Sequence, residues 1–263
     1  MRAGGIPDKG QVSRLASVLA QPRALAQAAT RALVDFALPP RCPGCGAITA
    51  GDHRFCLTCW LSIDFLAGNG CPRCGAPAPD GAAEDLTCGV CLADPPAFDR
   101  ARAVAAYGPV ARDVVLKLKY GRRIGHAETV ARQMGRLLEG VPDDAVLACV
   151  PLHRWRIWGR GFNQAALIAR ALAKQSGRAL DVDLLQRTRA TPPLKSLNPG
   201  QRRQAVRGAF ALRPGAVVRG RTIVLVDDVY TTGATAEACA RLLRRAGAGR
   251  IDLVTWARVV RPD

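Results

Sequence analysis

From residue 99 onward, apolar runs alternate with amphipathic stretches, and that alternation predicts the architecture. Residues 101–107 and 145–150 read as strands, and residues 110–120 and 161–175 as helices. The unbroken apolar run 222–226 reads as a buried strand, 234–246 as a helix and 251–258 as a final strand. Strands that alternate with helices form βαβ units, so an α/β fold around a parallel sheet is expected. Residues 187–207 show no period and contain Pro192-Pro193 and Pro199-Gly200, which predicts a long loop. Loops of that length in compact domains often serve as lids.

Ahead of this region the pattern changes twice. Residues 39–98 are rich in Gly, Pro and Cys, while 12–36 place Leu15, Val18, Leu19, Leu25, Ala28, Ala29 and Leu33 at threes and fours, interrupted by Pro22. This Arg-rich stretch reads either as a helix docked on the rest of the chain or as a membrane-surface or targeting segment. Residues 1–10 read as disordered. The expected division is 1–38 tail and amphipathic helix, 39–98 cysteine module, and 99–263 α/β domain.

The 263 residues suffice for one medium α/β domain plus something smaller. The formal charge of +17 favours polyanionic partners: nucleic acid, anionic lipid or phosphorylated small molecules. Between residues 150 and 210, twelve Lys and Arg face only Asp181 and Asp183. Arg-richness also follows from GC-rich coding, so charge alone decides little. No apolar run of about 18 residues and no secretory signal is recognised, and the expected location is cytoplasmic.

Ten cysteines demand a reason, and eight form four C-x-x-C pairs: Cys42/Cys45, Cys56/Cys59, Cys71/Cys74 and Cys88/Cys91. Without export, such pairs read as metal ligands rather than disulfides. Two C-x-x-C turns complete a tetrahedral zinc shell. The knuckles Cys42-Pro43-Gly44-Cys45-Gly46 and Cys71-Pro72-Arg73-Cys74-Gly75 repeat at about 30 residues, which suggests sequential pairing into two sites. A crossed arrangement or a single occupied site remains open at this point. Closed sulfur shells leave no position for chemistry, so the metal would be structural, and His53 is superfluous to it. Cys149 and Cys239 read as small buried hydrophobes.

The most informative stretch is residues 222–235. A buried strand runs into Asp227 and Asp228, and a small-residue turn then opens a helix. Unpaired N–H groups and the macrodipole at a helix start hold phosphate well. Thr231, Thr232 and Thr235 add hydroxyls, while Gly233 and Ala234 permit close approach. The loop is no Walker motif, because Gly-x-x-x-x-Gly-Lys is absent. Two acids beside it suit a ribose, whose hydroxyls donate to carboxylates. The arrangement resembles the signature of type I phosphoribosyltransferases.

The resemblance extends along residues 35–258, where the chain is similar to the ComF family. That family couples a double zinc ribbon to a phosphoribosyltransferase domain. Carrying it are the four cysteine pairs, Tyr107-Gly108-Pro109-Val110, Leu118-Lys119-Tyr120, Val150-Pro151-Leu152-His153, Arg160-Gly161-Phe162-Asn163-Gln164 and residues 187–210. The resemblance implies candidate catalytic residues Asp227 and Asp228 on the ribose hydroxyls, with phosphoribosyl pyrophosphate as ligand. It implies Val229, Tyr230, Thr231, Thr232, Gly233, Ala234 and Thr235 around the 5-phosphate. Pro151, Leu152, His153 and Arg160 are implied for the pyrophosphate with its Mg²⁺. His153 reads equally as a turn cap, and Arg154, Arg156 and Arg160 equally as a solvated basic face. The 187–207 loop would fold over the substrate, with Arg202, Arg203 or Arg207 reaching in.

At the level of process the resemblance implies competence and DNA uptake, with a competence helicase or other DNA-uptake proteins as partners. Leu194 and Ala205 stand where the family's loop often has Gln and Asn, which weakens the expectation of ordinary closure. No base-recognition hood is recognisable. Two readings follow: a phosphoribosyltransferase with an unknown acceptor, or a non-catalytic module for the same ligand or single-stranded DNA. For the second, Trp155, Trp158 and Phe162 interleave with Arg as stacking platforms; the alternative is that these tryptophans pack on the cysteine module.

Overall fold

The computed structural model describes residues 39–66, 70–79, 86–121, 123–191 and 199–260. The amphipathic stretch 12–36 lies outside them, as do Leu194 and the rest of 192–198. Two five-residue helices come first, α1 (Leu57–Leu61) and α2 (Gly89–Ala93), each opening at a cysteine. Strand β1 (Arg100–Ala106) leads to α3 (Pro109–Tyr120), where the fixed φ of Pro109 suits a first helical position. Then come α4 (His126–Met134), β2 (Val146–Cys149), α5 (Arg154–Arg160) and α6 (Gln164–Ser176). Short strands β3 (Ala179–Asp181) and β4 (Leu185–Arg187) precede α7 (Pro199–Val206) and β5 (Phe210–Leu212). The chain ends on β6 (Thr222–Tyr230), α8 (Ala234–Arg245) and β7 (Arg250–Arg258).

Five strands form one sheet in the order β1-β7-β6-β2-β3, with every neighbouring pair parallel. The α/β expectation is met. Alternation along each strand divides the core into two layers. Val224 and Val226 of β6 face α3, α4 and α6, while Ile223 and Leu225 face α8 and the β4–β5 ladder. All four are buried, as a central parallel strand covered on both sides requires. Cys149 and Cys239 are buried within these layers, one on each side, as expected.

Several boundaries differ from expectation. Strand β6 continues through Asp227 and Asp228 to Tyr230, because β7 pairs with it that far, Tyr230 opposite Arg258. The helix expected at 161–175 starts at Gln164: Gly161 ends α5 at φ +88°, and the Asn163 side chain caps the new helix by accepting from Ala165 N at 3.1 Å. The loop expected over 187–207 contains a helix, α7, among its described residues. Helix α4, which buries Ala127, Val130, Ala131 and Met134 at helical spacing, and the three-residue strands β3, β4 and β5 were not among the expected elements.

The cysteine-rich segment docks on the β1 edge. Phe65 bridges Ala105 in antiparallel fashion, Leu66 N donates to Val104 O at 3.0 Å, and Phe55 stacks on Trp256 at 6.0 Å. An edge strand covered this way offers no template for stray pairing.

Leu225→Ala removes a buried side chain from the central strand and should cost about 2–5 kcal/mol. Val217→Ala, at a position 72% exposed, should change stability by less than about 0.5 kcal/mol. Denaturant unfolding of both variants checks the pair.

Candidate functional site

The site assembles where β6 and β2 end side by side. Val150 N donates to Val226 O at 3.0 Å, which binds the β2 exit to the residue preceding the two acids. After Tyr230 the chain turns through Thr231 and Thr232 to Gly233, and α8 begins. Gly233 stands at φ +73°, and a Cβ there would lie 2.5 Å from Tyr230 Oη, so only glycine fits. No side chain caps α8. Glu237 of its first turn is engaged elsewhere, accepting from Ala97 N at 2.9 Å and pairing with Arg241. The first N–H groups of a twelve-residue helix therefore border a hollow of about 40 Å³ lined by Asp227, Tyr230, residues 231–235, Leu253 and Thr255. Such a turn suits a phosphate-sized anion.

Asp227 and Asp228 point to opposite faces of the sheet, as neighbours on a strand must. Asp228 faces the α3 side, where Lys119 Nζ lies 2.7 Å from its Oδ2, and the Asp228 side chain is only 5% exposed. Burial works against the lysine's charge, but Asp228 and then Asp227 outweigh it and raise the Lys119 pKa. Asp227 Oδ1 accepts from Asp228 N at 2.9 Å. Burial first, and the neighbouring Asp228 charge second, push Asp227 from its ordinary 3.8 up to about 8. The two acids thus differ: one is held by a lysine, and the other has its pKa raised. Lys119 was singled out in sequence only as part of Leu118-Lys119-Tyr120. Nothing in its spacing showed that it would meet Asp228.

On the β2 side, Pro151 and His153 are buried and Leu152 is half-buried. His153 Nδ1 accepts from Trp155 N at 3.4 Å and caps α5, so the turn-cap reading describes its contact. Arg160 lies 5.3 Å from the Tyr120 ring centroid and donates to Gln164, which fixes the end of α3 beside Lys119. Trp155 and Trp158 do not pack on the cysteine module. They are 58% and 80% exposed and face each other at 5.7 Å. Trp60, which sequence reasoning passed over, packs there instead, 4.6 Å from Phe65. Arg203 does not reach the acids either. It approaches Asp94 at 3.6 Å, and with Arg207 it lines a groove of about 580 Å³ against α8.

The eight paired cysteines form two tetrads in sequence order, Cys42/Cys45/Cys56/Cys59 and Cys71/Cys74/Cys88/Cys91. Within each, the sulfurs lie within 4.8 Å of one another, with Cys45–Cys56 at 3.6 Å and Cys74–Cys88 at 3.7 Å. A tetrahedral zinc at about 2.3 Å from each sulfur requires separations of roughly 3.8 Å, so the tetrads fit the ion. The knuckles share one geometry: Cys42 N donates to Ala47 O and Gly46 N to Cys42 O, as Cys71 N does to Ala76 O and Gly75 N to Cys71 O. Burial opposes the thiolate at Cys42 and Cys71, yet hydrogen bonds to the sulfur, chiefly from backbone N–H groups, bring both to about 6. His53 is outside both tetrads, with Nδ1 3.2 Å from Thr129 Oγ1.

Residues 33–92 match the family model described as a double zinc ribbon domain, and residues 160–260 the phosphoribosyl transferase domain. The chain is 38% identical over 196 residues to the DNA utilization protein YhgH of Salmonella typhi, covering 72% of this chain and 84% of that protein. It is 29% identical to Competence protein F of Haemophilus influenzae, covering 83% and 96% of the two chains. With Competence protein ComFC of Bacillus subtilis it shares 27% identity over 79% of this chain and 85% of the other.

Two predictions follow from this geometry. Metal analysis of freshly purified protein should return about two zinc ions per chain, one per tetrad; well under one would refute the metal assignment. The second concerns Asp227. Because its folded pKa is raised from 3.8 to about 8, the folded state holds an extra proton in that window and wild type loses stability as pH climbs through it. Asp227→Asn, which cannot titrate, should melt progressively higher than wild type from pH 5 to pH 8. A melting gap that fails to widen with pH contradicts the raised pKa.

Proposed function

Given that the chain belongs to the ComF family, we propose that it binds phosphoribosyl pyrophosphate with Mg²⁺ and acts in DNA uptake, transferring the phosphoribosyl group to an acceptor. The observation that carries this reading is the acidic pair on β6 followed at once by the uncapped start of α8. The ribose hydroxyls would donate to Asp227 and Asp228, and residues 231–235 would hold the 5-phosphate. Pro151, Leu152, His153 and Arg160 would border the pyrophosphate. Mg²⁺ would come with the ligand and offset pyrophosphate charge, which suits a β2 exit loop without carboxylates.

Transfer on such a site needs no enzymatic nucleophile. The C1–pyrophosphate bond loosens toward an oxocarbenium-like state, and fixed charges stabilise what departs. Lys119 adds to the expected set: a compact, displaceable cation beside the acids tempers their repulsion of a polyanionic ligand. The tetrads take structural zinc, so that 39–98 folds as a double ribbon upon the phosphoribosyltransferase domain 99–263.

A second reading has its own support. The exposed pair Trp155 and Trp158, with Arg154 lying 5.5 Å from the Trp155 ring centroid, suits stacking of single-stranded bases. Relatives named for DNA utilization and competence fit either reading.

Calorimetric titration separates them. Wild type should give heat with phosphoribosyl pyrophosphate and Mg²⁺, and Asp227→Asn or Asp228→Asn should abolish it; no heat from wild type sinks the ligand assignment. Pyrophosphate release on addition of nucleobases would mark an enzyme. DNA binding, by contrast, should weaken steeply with salt and survive Asp227→Asn.

A further inference from the structure

The second cysteine tetrad and the phosphate turn lie at the two ends of one short chain of contacts. Cys74 contributes its sulfur to the tetrad, while its carbonyl accepts from Arg258 Nη1 at 2.6 Å. Arg258 ends β7, is only 8% exposed, and sits in register opposite Tyr230 of β6. Its guanidinium lies 5.3 Å from the Tyr230 ring centroid. The Tyr230 ring in turn covers Gly233, so closely that a Cβ there would meet Oη at 2.5 Å and Cζ at 2.8 Å. Phe98, which follows α2 and is buried, meets the same ring edge-on at 6.3 Å. Gly75, next to Cys74 at φ +67°, lets the knuckle close on β1: a Cβ there would be 2.5 Å from Ala101 O.

We propose that the second tetrad sets the geometry of the phosphate turn through Arg258 and Tyr230, so that its metal content governs affinity for a 5-phosphate ligand. A metal on Cys74 pins the knuckle and fixes the direction of its carbonyl. That carbonyl orients a guanidinium whose planar fork leaves it little freedom. The guanidinium holds the aromatic ring, and the ring holds the left-handed residue at which α8 begins. Arg258 is therefore a positioning residue that acts without touching the ligand. An alternative account, in which these residues only fill space, leaves the turn indifferent to the metal. The inference rests on the proposed function for the identity of its ligand, but not for the coupling itself.

The test uses the full chain, ribose 5-phosphate as probe, and wild type beside Arg258→Met and Arg258→Lys. Each protein is titrated by calorimetry as purified and again after metal chelation. Hydrogen exchange of amides 231–235 is followed in parallel without ligand. In wild type, chelation should weaken binding about tenfold, in the range that outer supporting residues command, and speed exchange in the turn. Arg258→Met should show both effects with its zinc still bound, and chelation should add less than it does in wild type. Arg258→Lys, which retains a donor for Cys74 O, should recover part of the affinity. Wild-type affinity and exchange in zinc-loaded Arg258→Met would overturn the proposal, as would equal chelation effects in both proteins. If zinc-loaded wild type fails to bind ribose 5-phosphate, the ligand assignment falls, and the exchange measurement alone decides the coupling.

Discussion

A carboxylate as enclosed as Asp228 needs a partner in place of the water it has lost, and Lys119 Nζ at 2.7 Å is that partner. Much of the molecule serves this contact. Lys119 sits in the last turn of α3, whose face packs on β6 and β7 through Val114, Val115 and Leu118. Tyr120 is held under Arg160, and Lys117 donates to the Pro43 and Gly44 carbonyls of the first knuckle. The helix that supplies the cation is thus held by the sheet, by α5 and by the first tetrad. Asp227, one residue away on the other face, feels the same lysine less than it feels burial and the Asp228 charge, and its pKa is raised.

The cysteine module is accordingly more than a neighbour. So short a segment has little core of its own, and its folding energy must come from metal and from docking. It docks through backbone carbonyls of the knuckles: Pro43 and Gly44 to Lys117, Pro72 to Arg102, Arg73 to Ala101 N, and Cys74 to Arg258. Carbonyls of a metal-pinned turn are rigid acceptors, and three of the four donors are charged side chains. Such bonds are shorter and stronger than neutral ones. Both tetrads thereby lean on elements that flank the acidic pair, one through α3 and the other through β7.

Local features were legible in the sequence. The tetrad pairing followed from a repeat whose knuckles share hydrogen bonds within five residues, and the phosphate turn from a strand, two acids and small residues in immediate succession. Apart from α4, what was missed was short or irregular. Strands of three residues present too few positions for a period to emerge, and α7, which begins Pro-Gly, carries the marks of a turn. Helix α5 runs on Arg and Trp, most of them exposed, with no apolar face to betray it.

By itself the sequence determined the α/β class, the eight cysteines of the metal module and the acid–acid–turn that defines the candidate site, because each depends on residues close in the chain. Only the tertiary structure decided which cation meets Asp228, that Trp155 and Trp158 face solvent, that Arg203 turns to Asp94, and that Arg258 joins Cys74 to Tyr230. The physical reason is common to all four. A buried charge or an exposed ring is defined by what surrounds it, and those surroundings are brought together from distant segments by the parallel sheet.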